Sequence, residues 1–511
     1  MLFTVRSRRQ TDAAGDLDAD ALDRLRTAVD AARKGHRDTV ARLGDMLVNL
    51  DGQVGHDDAR QVLSLVSVMP WLVLRLDENA RSPYTADPEW AARASVRLRD
   101  RGVIAAALAS MCSDGRMREA AVALMVELAA PETGPFLVLR TADWVGQVRS
   151  RARAGLAVLL HDAPAAWIPT VASTAFLLSR RVRADFARQQ VDAALRFVPD
   201  AMLGELVARA DQATRRAAFD VALSRRVYHT GDLARFAIEH PDRLVALRAA
   251  EAAARDAVWT GNRRVLDGLV RARTADVRAL GLIGLTRAGQ SETAGEHLAD
   301  DAALVRAIAR DAIRPGGRDP AAWYRTMLDG DAARPGALAG LAECGTGSDG
   351  ALLERFLVHP SARVRAAAVS ALRAMSAADP VKIAPLLHDP SARVVRQAAA
   401  ALRPVATMLD PEPLRGLLTD SRRHARRAAY SLLRRRDGWE RLRAALLVVA
   451  DDDAALAGHA RTDVLAWARH EPDPPEPPPV ELAALVAQIA LLGEPTAGLL
   501  RARLTPRRVI G

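Results

Sequence analysis

Three segments of the sequence decide the fold: 359-HPSARVRAAAVSAL-372, 389-DPSARVVRQAAAAL-402 and 419-TDSRRHARRAAYSL-432. Each copy begins with a polar residue and continues as an Ala-rich run that ends in Leu. Pro360 and Pro390 are predicted at the first helical turn, where the missing N–H costs nothing. Aligned in steps of thirty residues, the copies share four columns: Ser at 361/391/421, Arg at 363/393/423, Ala at 368/398/428 and Leu at 372/402/432.

A second, shorter helix is predicted after each of these runs, for example from Val381 to Leu387 and from Pro413 to Leu418. Thirty residues therefore make one helical hairpin. Neither helix of such a hairpin can bury its apolar face alone, so successive hairpins must stack and share a core.

The same rhythm continues upstream as an Arg that follows an apolar residue. About eleven units are predicted from Cys112 to Leu446, with a looser one from Ala454 to His470. Arg215-Arg216 fills one slot without the apolar residue, and the slot near Gly336 has lost its Arg. The remaining slots are Met117-Arg118, Val148-Arg149, Val182-Arg183, Leu247-Arg248, Val277-Arg278, Val305-Arg306, Arg365, Arg396 and Arg426.

Composition agrees with a helical protein. Half of the 511 residues are apolar, but only 4% are aromatic. This excludes a chain that is disordered throughout and argues against an all-β fold. The net charge is +10, yet Lys34 and Lys382 are the only lysines among the 72 basic residues. Such a skew toward Arg is typical of GC-rich genomes, so the charge by itself is weak evidence for phosphate binding.

The sequence therefore predicts an all-α, right-handed α-solenoid of about eleven to twelve hairpins. Residues 1–16 are predicted to be a flexible tail and 17–110 a helical cap, with helices at Leu17–Ala32, Thr39–Leu50, Asp57–Leu76 and Pro88–Arg99. The repeat array is assigned to 111–470, a Pro-rich linker to 471–479 and a C-terminal helical cap to 480–511.

The Asp-Pro-Ser-Ala-Arg-Val-Arg-like helix openings resemble those of HEAT repeats, specifically the short bacterial type found in phycobilisome-lyase-like proteins. The resemblance covers the repeat array and implies a fold more than a function. It also implies a ladder in which an Asp pairs with an Arg six positions later. Matching pairs are Asp143/Arg149, Asp242/Arg248, Asp300/Arg306 and Asp420/Arg426. His359 replaces the acid before Arg365, and Val395 stands where the Arg after Asp389 belongs, so breaks in the ladder are expected there.

No catalytic or cofactor-binding motif was found. The eleven histidines lack the paired spacing that a helical metal site needs, and Cys112 and Cys344 match no metal or redox spacing. The acidic runs Asp300-Asp301 and Asp451-Asp452-Asp453 are interpreted as helix caps. We therefore expect a protein that is not an enzyme and has no cofactor and no metal site.

The strongest candidate for a binding surface is a run of arginines. Arg422, Arg423, Arg426 and Arg427 are predicted to share one side of a helix, and Arg434, Arg435 and Arg436 follow. Such a patch could hold phosphates or an acidic partner through bidentate hydrogen bonds. The alternative is a solvated face that is partly neutralised by Asp437 and Glu440.

The sequence favours a cytoplasmic scaffold or adaptor that binds a macromolecule, with a protein favoured as the partner, on its concave surface. The first alternative is a nucleic-acid-binding protein similar to the alkylpurine DNA glycosylases, with Asp143, Trp144 and Arg149 as a loose parallel; Trp144 is favoured as a core residue. A second alternative, a chromophore lyase, follows only from the resemblance. No membrane partner is expected, because the most apolar stretch, Val62–Leu74, is short and contains Pro70. The oligomeric state stays open.

Overall fold

The computed structural model describes residues 19–80, 98, 101–179, 181–330, 333–470, 472, 479–487 and 493–504. Within these residues the regular elements are helices and no β-strand occurs. The predicted all-α class is confirmed. The predicted N-terminal tail lies outside the described residues, as do most of the predicted helix Pro88–Arg99 and most of the Pro-rich linker.

The chain forms two compact units, residues 1–252 and 253–511. The helices that lie in the first unit are α1 (Ala19–Ala32), α2 (Arg37–Leu50), α3 (His56–Ser67), α4 (Pro70–Ala80), α5 (Val103–Ala109), α6 (Gly115–Leu128), α7 (Gly134–Arg140), α8 (Gly146–Asp162), α9 (Pro164–Leu178), α10 (Asp185–Ala194), α11 (Asp200–Arg209), α12 (Gln212–Ser224) and α13 (Thr230–Glu239).

Helix α14 (Arg243–Thr260) carries the chain from the first unit into the second. The helices of the second unit are α15 (Arg263–Leu269), α16 (Ala275–Arg287), α17 (Ala303–Ile313), α18 (Pro320–Leu328), α19 (Pro335–Cys344), α20 (Gly350–Glu354), α21 (Ala362–Ala374), α22 (Pro380–Ile383), α23 (Ala392–Leu402), α24 (Pro411–Leu417), α25 (Arg423–Leu433), α26 (Gly438–Val448), α27 (Ala454–His470), α28 (Val480–Ala487) and α29 (Glu494–Leu504).

Successive hairpins stack within each unit. In the second unit the longer helices α19, α21, α23 and α25 pack against one another in chain order, and α22 and α24 pack against the longer helix that follows each. The same order holds in the first unit, where α8 packs against both α6 and α10. These contacts join helices that are close in the chain, which is the arrangement of a helical-repeat array.

The repeat columns explain this packing. Leu372, Leu402 and Leu432 are all buried, and burying a Leu side chain contributes about 1.5–3 kcal/mol. Between residues 115 and 448 of the described chain, eleven helices open a hairpin, as the repeat count predicts. These helices are α6, α8, α10, α12, α14, α16, α17, α19, α21, α23 and α25.

The predicted helix Asp57–Leu76 is wrong as a single element. The structure divides it into α3 and α4, which meet at an angle of 100°. Pro70 is the first residue of α4, because a Pro inside a continuous helix would remove a backbone hydrogen bond and clash with the preceding turn. No single helix of the described residues is long and apolar enough to cross a bilayer, although this bent pair meets the length and composition test when both parts are counted together.

The predicted position of the prolines at the helix starts is also wrong. Ser361 and Ser391 are the N-caps of α21 and α23, so Pro360 and Pro390 lie just before the helix. The N-cap of α25 is Arg422, which shifts the third repeat by one residue relative to the thirty-residue alignment. Arg422 therefore occupies the position of Ser361 and Ser391, a substitution that the alignment concealed.

The C-terminal helical pair is present as α28 and α29 over the described residues, and α29 packs against α27. Arg503 donates hydrogen bonds to the carbonyl oxygens of Trp467 and Ala468 at 2.9 and 3.2 Å. Its guanidinium also lies 4.4 Å from the centre of the Trp467 ring. These contacts satisfy carbonyls at the end of α27, which is what a terminal cap must do.

Candidate binding groove and the arginine ladder

One arginine near the start of many long helices joins consecutive repeats. Arg365 donates from Nη1 to the carbonyl oxygens of His359 and Pro360, at 2.8 and 2.9 Å. Its Nε and Nη2 bind both carboxylate oxygens of Asp389 in the next repeat, at 2.7 and 2.9 Å. Each such arginine therefore fixes its own inter-helix turn and the following one. The same double contact is made by Arg118 with Asp143, Arg278 with Asp300 and Arg426 with Asp451.

The pairing implied by the six-residue spacing needs correction. Arg149, Arg306 and Arg426 do reach the Asp six positions earlier, but they bind its main-chain carbonyl oxygen. The carboxylate of that Asp turns toward other groups: it accepts the backbone N–H two residues later and binds an arginine other than the one six positions later. In the remaining pair, Arg248 binds Asp220, while the Asp242 carboxylate binds Arg216.

The expected breaks in the ladder are filled by other residues. His359 replaces the acid by accepting the Ser361 N–H at Nδ1, at 3.0 Å, as Asp389 does for Ser391. At Val395 the missing guanidinium is supplied by Arg422, which donates to the carbonyl oxygens of His388 and Asp389 at 2.8 and 3.3 Å. Arg422 also binds the Asp420 carboxylate at 2.9 and 2.6 Å, so the ladder continues through this repeat.

We expect Arg422→Ala to lower the melting temperature of the full chain. The substitution leaves the carbonyls of His388 and Asp389 and the Asp420 carboxylate without this donor. Arg435→Ala is the matched control, because Arg435 is exposed and lies in the same arginine run. Melting followed by circular dichroism tests this; equal melting temperatures for the two variants would show that Arg422 does not complete the ladder.

The ladder carboxylates should also make the stability of the folded protein depend on pH in the acidic range. The hydrogen bonds from Arg422 lower the pKa of Asp420 to about 2, below its ordinary value of 3.8. A carboxyl group with a lowered pKa in the folded state contributes stability that is fully present above pH 3.8 and is lost as the pH falls toward 2. For Asp300 and Asp389, burial raises the pKa, but the hydrogen bonds from an arginine and a backbone N–H, together with the nearby positive charges, outweigh it and the net pKa is lowered.

We therefore expect the free energy of unfolding to fall as the pH drops from about 4 to about 2. Urea titrations at several pH values measure this dependence. Asp420→Asn should be less stable at neutral pH and should show a shallower fall in acid, since one linked carboxyl group has been removed. A wild-type free energy that stays flat across this range would contradict the prediction.

The predicted arginine patch is largely engaged within the protein. Arg422 binds Asp420, while Arg423 and Arg427 both bind Asp453. The same Asp453 caps α27 by accepting the Ala455 N–H at 3.2 Å, as the interpretation of that acidic run predicts. Further along the run, Arg426 binds Asp451 and Asp452, Arg434 binds Asp463, and Arg436 donates to the carbonyl oxygen of Leu409. A phosphate or acidic partner at this patch would have to compete with these carboxylates.

Trp144 is not a core residue, contrary to the interpretation favoured from the sequence. Its side chain is 67% exposed, and the Arg118 guanidinium lies 5.5 Å from its ring centre. Asp143 is buried and binds Arg118, and Arg149 donates to the Asp143 carbonyl at 2.7 Å. This carboxylate is thus committed to the ladder, and among the described residues no cluster of His, Cys, Asp and Glu is placed to hold a metal ion.

A groove of about 550 Å³ runs along α21, in the second unit. We call it the α21 groove. Its floor is the helix stripe formed by Ala366, Ala367, Ser370, Ala371 and Ala374. Helices α19 and α23 form its walls. Residues three and four positions apart lie on the same helix face, and their small side chains project little from α21. A channel therefore stays open between the two neighbouring helices.

The wall on the α19 side contains a charged cluster that the sequence did not predict. Glu343 accepts hydrogen bonds from Arg306 and Arg310. Burial raises the pKa of Glu343, but these two arginines outweigh it and the net pKa is lowered. Gly336, the slot without an arginine, lies against the Ala299 and Asp300 carbonyls, where a side chain has no room. Glu343 thus takes over the role of the ladder acid for Arg306.

Two exposed arginines stand on the opposite wall. Arg393 and Arg396 line the groove from α23, and neither guanidinium has a partner among the described residues. Arg363 also lines the groove and binds Asp301 at 3.3 Å. The sequence contained two signals for these residues, the Arg column at 363 and 393 and the repeat slot assigned to Arg396. The structure places that slot at Val395 instead, and only the structure separates Arg393 and Arg396 from the paired arginines of the ladder.

Comparison with known proteins adds little beyond the helical architecture. No family model matches the chain. No curated protein matches it either. Similar solved structures include Kap121p at 13% identity and a TM-score of 0.30, covering 89% of this chain and 53% of that one. Importin beta shows 11% identity and a TM-score of 0.26, and the match covers 97% of this chain and 81% of that one. UNC-45 from Drosophila melanogaster shows 11% identity and a TM-score of 0.20, and the match covers 94% of this chain and 77% of that one.

This chain spans about half the length of Kap121p. All three TM-scores lie below 0.5, so the fold assignment depends on the contacts of this chain itself. Those contacts define a protein of the helical-repeat class, built from stacked hairpins. The particular subtype, the short bacterial HEAT repeat, stays a prediction from the sequence.

Proposed function

We propose that this protein is a non-catalytic scaffold or adaptor that binds a protein partner in the α21 groove. The observation that supports this most directly is the groove itself: an open channel with a floor of small side chains and two exposed, unpaired arginines among the described residues on one wall. Many other arginines bind carboxylates, either in the ladder or elsewhere on the helices. The groove therefore combines an open channel with cations that a partner can bind.

A repeat array suits this role. Each hairpin presents one segment of surface, and neighbouring hairpins place those segments side by side, which gives an extended contact area without a catalytic centre. The floor of the α21 groove combines residues of one helix, whereas its walls come from the hairpins on either side. A partner segment that lies in the groove thus contacts three consecutive repeats.

Partner capture with a blocked groove tests the proposal. Ala367 is half-buried on the floor, so Ala367→Trp should fill the channel while the helix stays intact. Ala351→Trp is the matched control, since Ala351 is exposed on α20, away from the groove. Full-length variants are used as bait in isotope-labelled extracts of the source cells, and circular dichroism verifies that both fold.

We expect at least one partner to be retained by the wild type and by Ala351→Trp but lost with Ala367→Trp. If every captured protein is retained equally by both variants, the groove is not the binding surface and the proposal fails.

The nucleic-acid alternative has weaker support in the structure. Arg422, Arg423, Arg426, Arg427 and Arg434 each bind a carboxylate, so the predicted patch offers less free positive charge than its sequence suggested. Binding to phosphates would also need several unpaired cations along one path and would depend steeply on salt.

A further inference from the structure

The charges of the α21 groove are unequal. Four arginines line it, Arg306, Arg363, Arg393 and Arg396, together with two acids, Asp301 and Glu343. Arg306 binds Glu343 and Arg363 binds Asp301. The positive charge that is left over therefore lies on α23, at Arg393 and Arg396.

Arg393 and Arg396 lie on the same face of one helix. They are three residues apart on a helix, so their side chains project from the same face, and both line the groove with Gln397 beside them. A guanidinium offers its donors in a planar fork that fits a carboxylate. The pair can thus hold two carboxylates that are close together in a ligand.

The floor sets a second requirement. Ala367 and Ala374 present methyl groups and Ser370 adds a single hydroxyl, while Ala366 and Ala371 are buried. Such a surface favours contact with small or medium apolar side chains. It contains no aromatic ring on which a nucleotide base could stack, as single-stranded nucleic acids require.

The acids argue further against a phosphate chain. Asp301 and Glu343 both line the groove, and a nucleic acid carries a negative charge at every step along its backbone. A peptide can instead place its carboxylates on the α23 side and apolar side chains over the alanines. The groove therefore fits a ligand with localised negative charge.

We propose that the α21 groove binds an acidic linear segment of the partner protein, with its carboxylates on Arg393 and Arg396 and its apolar side chains on the alanine floor. This inference rests on the proposed function, because it names the chemistry of the segment that the groove holds. An extended segment of about eight residues is long enough, since crossing from α19 to α23 covers about 20 Å at about 10 Å between helices and about 3.3 Å per residue.

Peptide selection on the full-length protein tests the chemistry. The probe is a displayed library of random peptides about ten residues long. We expect the peptides that the wild type selects to be enriched in Asp and Glu. The double variant Arg393→Glu/Arg396→Glu should lose this enrichment, and a selected acidic peptide should bind it at least about tenfold more weakly in fluorescence anisotropy.

Arg355→Glu/Arg403→Glu is the matched control. Both of its arginines are exposed and lie outside the groove, and the change in net charge is the same. It should retain the acidic enrichment and bind the selected peptide within about twofold of the wild type. Peptides without excess acid, or equal losses in the two double variants, would overturn the inference.

The remaining outcomes are equally decisive. Replacing the acids of the selected peptide with Gln and Asn should abolish its binding, and unchanged affinity would contradict a role for carboxylates. Short single-stranded DNA that displaces the peptide and binds with the same dependence on Arg393 and Arg396 would assign the groove to nucleic acid. If Ala367→Trp abolishes partner capture while no acidic peptide binds, the proposed function stands and the acidic segment is wrong.

Discussion

Replacing Arg118 with Met should reduce the stability of the hairpin around α6 by about 3–5 kcal/mol, because it removes the bidentate partner of a buried carboxylate. The Arg118 and Asp143 side chains are 1% and 0% exposed, and they share two hydrogen bonds of 3.0 Å. Arg140 also lies near Asp143, at 3.4 Å, but its guanidinium binds Asp77 at 2.5 Å. It cannot replace the bidentate contact.

The substitution also removes the donor to two carbonyl oxygens. Arg118 Nη1 lies 3.0 Å from the Cys112 oxygen and 2.8 Å from the Ser113 oxygen, which close the turn before α6. Met retains much of the side-chain length and apolar surface, so the loss measures mainly the charged contacts. Hydrogen exchange of residues 112–143 in the full chain reports the local free energy of opening without assuming that the whole array unfolds in one step.

Arg149→Met is the matched control. Arg149 stands in the equivalent position of the next repeat, but it is only half-buried, and its Nη1 binds the carbonyls of Asp143 and Trp144. We expect its loss to cost about 1 kcal/mol. Equal changes in protection for the two variants would show that the buried ion pair contributes nothing beyond the carbonyl contacts. The double variant Arg118→Met/Asp143→Leu should recover part of the loss, since the buried carboxylate is removed together with its bidentate partner.

The second large loss of stability is expected when Gly336 is replaced by Ala, which adds one methyl group. A Cβ on Gly336 would lie 2.2 Å from the carbonyl oxygen of Ala299 and 2.7 Å from that of Asp300. Both obstacles are backbone atoms that cannot rotate away, so α19 would have to move off the turn before α17. That shift also strains the Asp300 contact with Arg278. Gly336→Ala should therefore destabilise the second unit by about 3 kcal/mol, at the upper end of the overpacking range.

Gly458 provides the opposite case. It lies inside α27 with no atom within 4 Å of an added Cβ. Gly458→Ala should stabilise the protein by about 0.5–1 kcal/mol, because Ala loses less backbone entropy than Gly in a helix. Hydrogen exchange of α17 to α19 and of α27 measures both changes. If Gly336→Ala leaves the protection of α19 unchanged, the close approach of this helix to the turn is wrong.

The sequence predicted the repeat because the repeat depends on interactions between residues that are close in the chain. Ala-rich runs that end in Leu372, Leu402 and Leu432 carry helix propensity and an apolar face, and both properties depend on neighbours within a few residues. The recurrence of an arginine in the same phase was likewise visible without coordinates. For Val182-Arg183, however, the phase failed, since Arg183 lies in the turn before α10 with a positive φ of 70°.

The candidate site was predicted only in part. Arg422 and its neighbours were identified as a binding patch, but the sequence could not show that Asp451, Asp452 and Asp453 lie opposite them, about one repeat later. The α21 groove was missed because no single segment forms it. Its floor, walls and charges come from four helices, and each of them looks ordinary when taken alone.

The sequence by itself determined the class of the fold, the length of the repeat and some of the arginines that take part in the ladder, such as Arg118, Arg278 and Arg365. Only the tertiary structure decided which carboxylate each arginine binds, that Arg422 replaces the residue missing at Val395, and that Arg393 and Arg396 stay available for a ligand. The physical reason is one of range. Helix formation depends on residues a few positions apart, whereas an ion pair depends on which side chains two packed hairpins bring together across some twenty-five positions of chain.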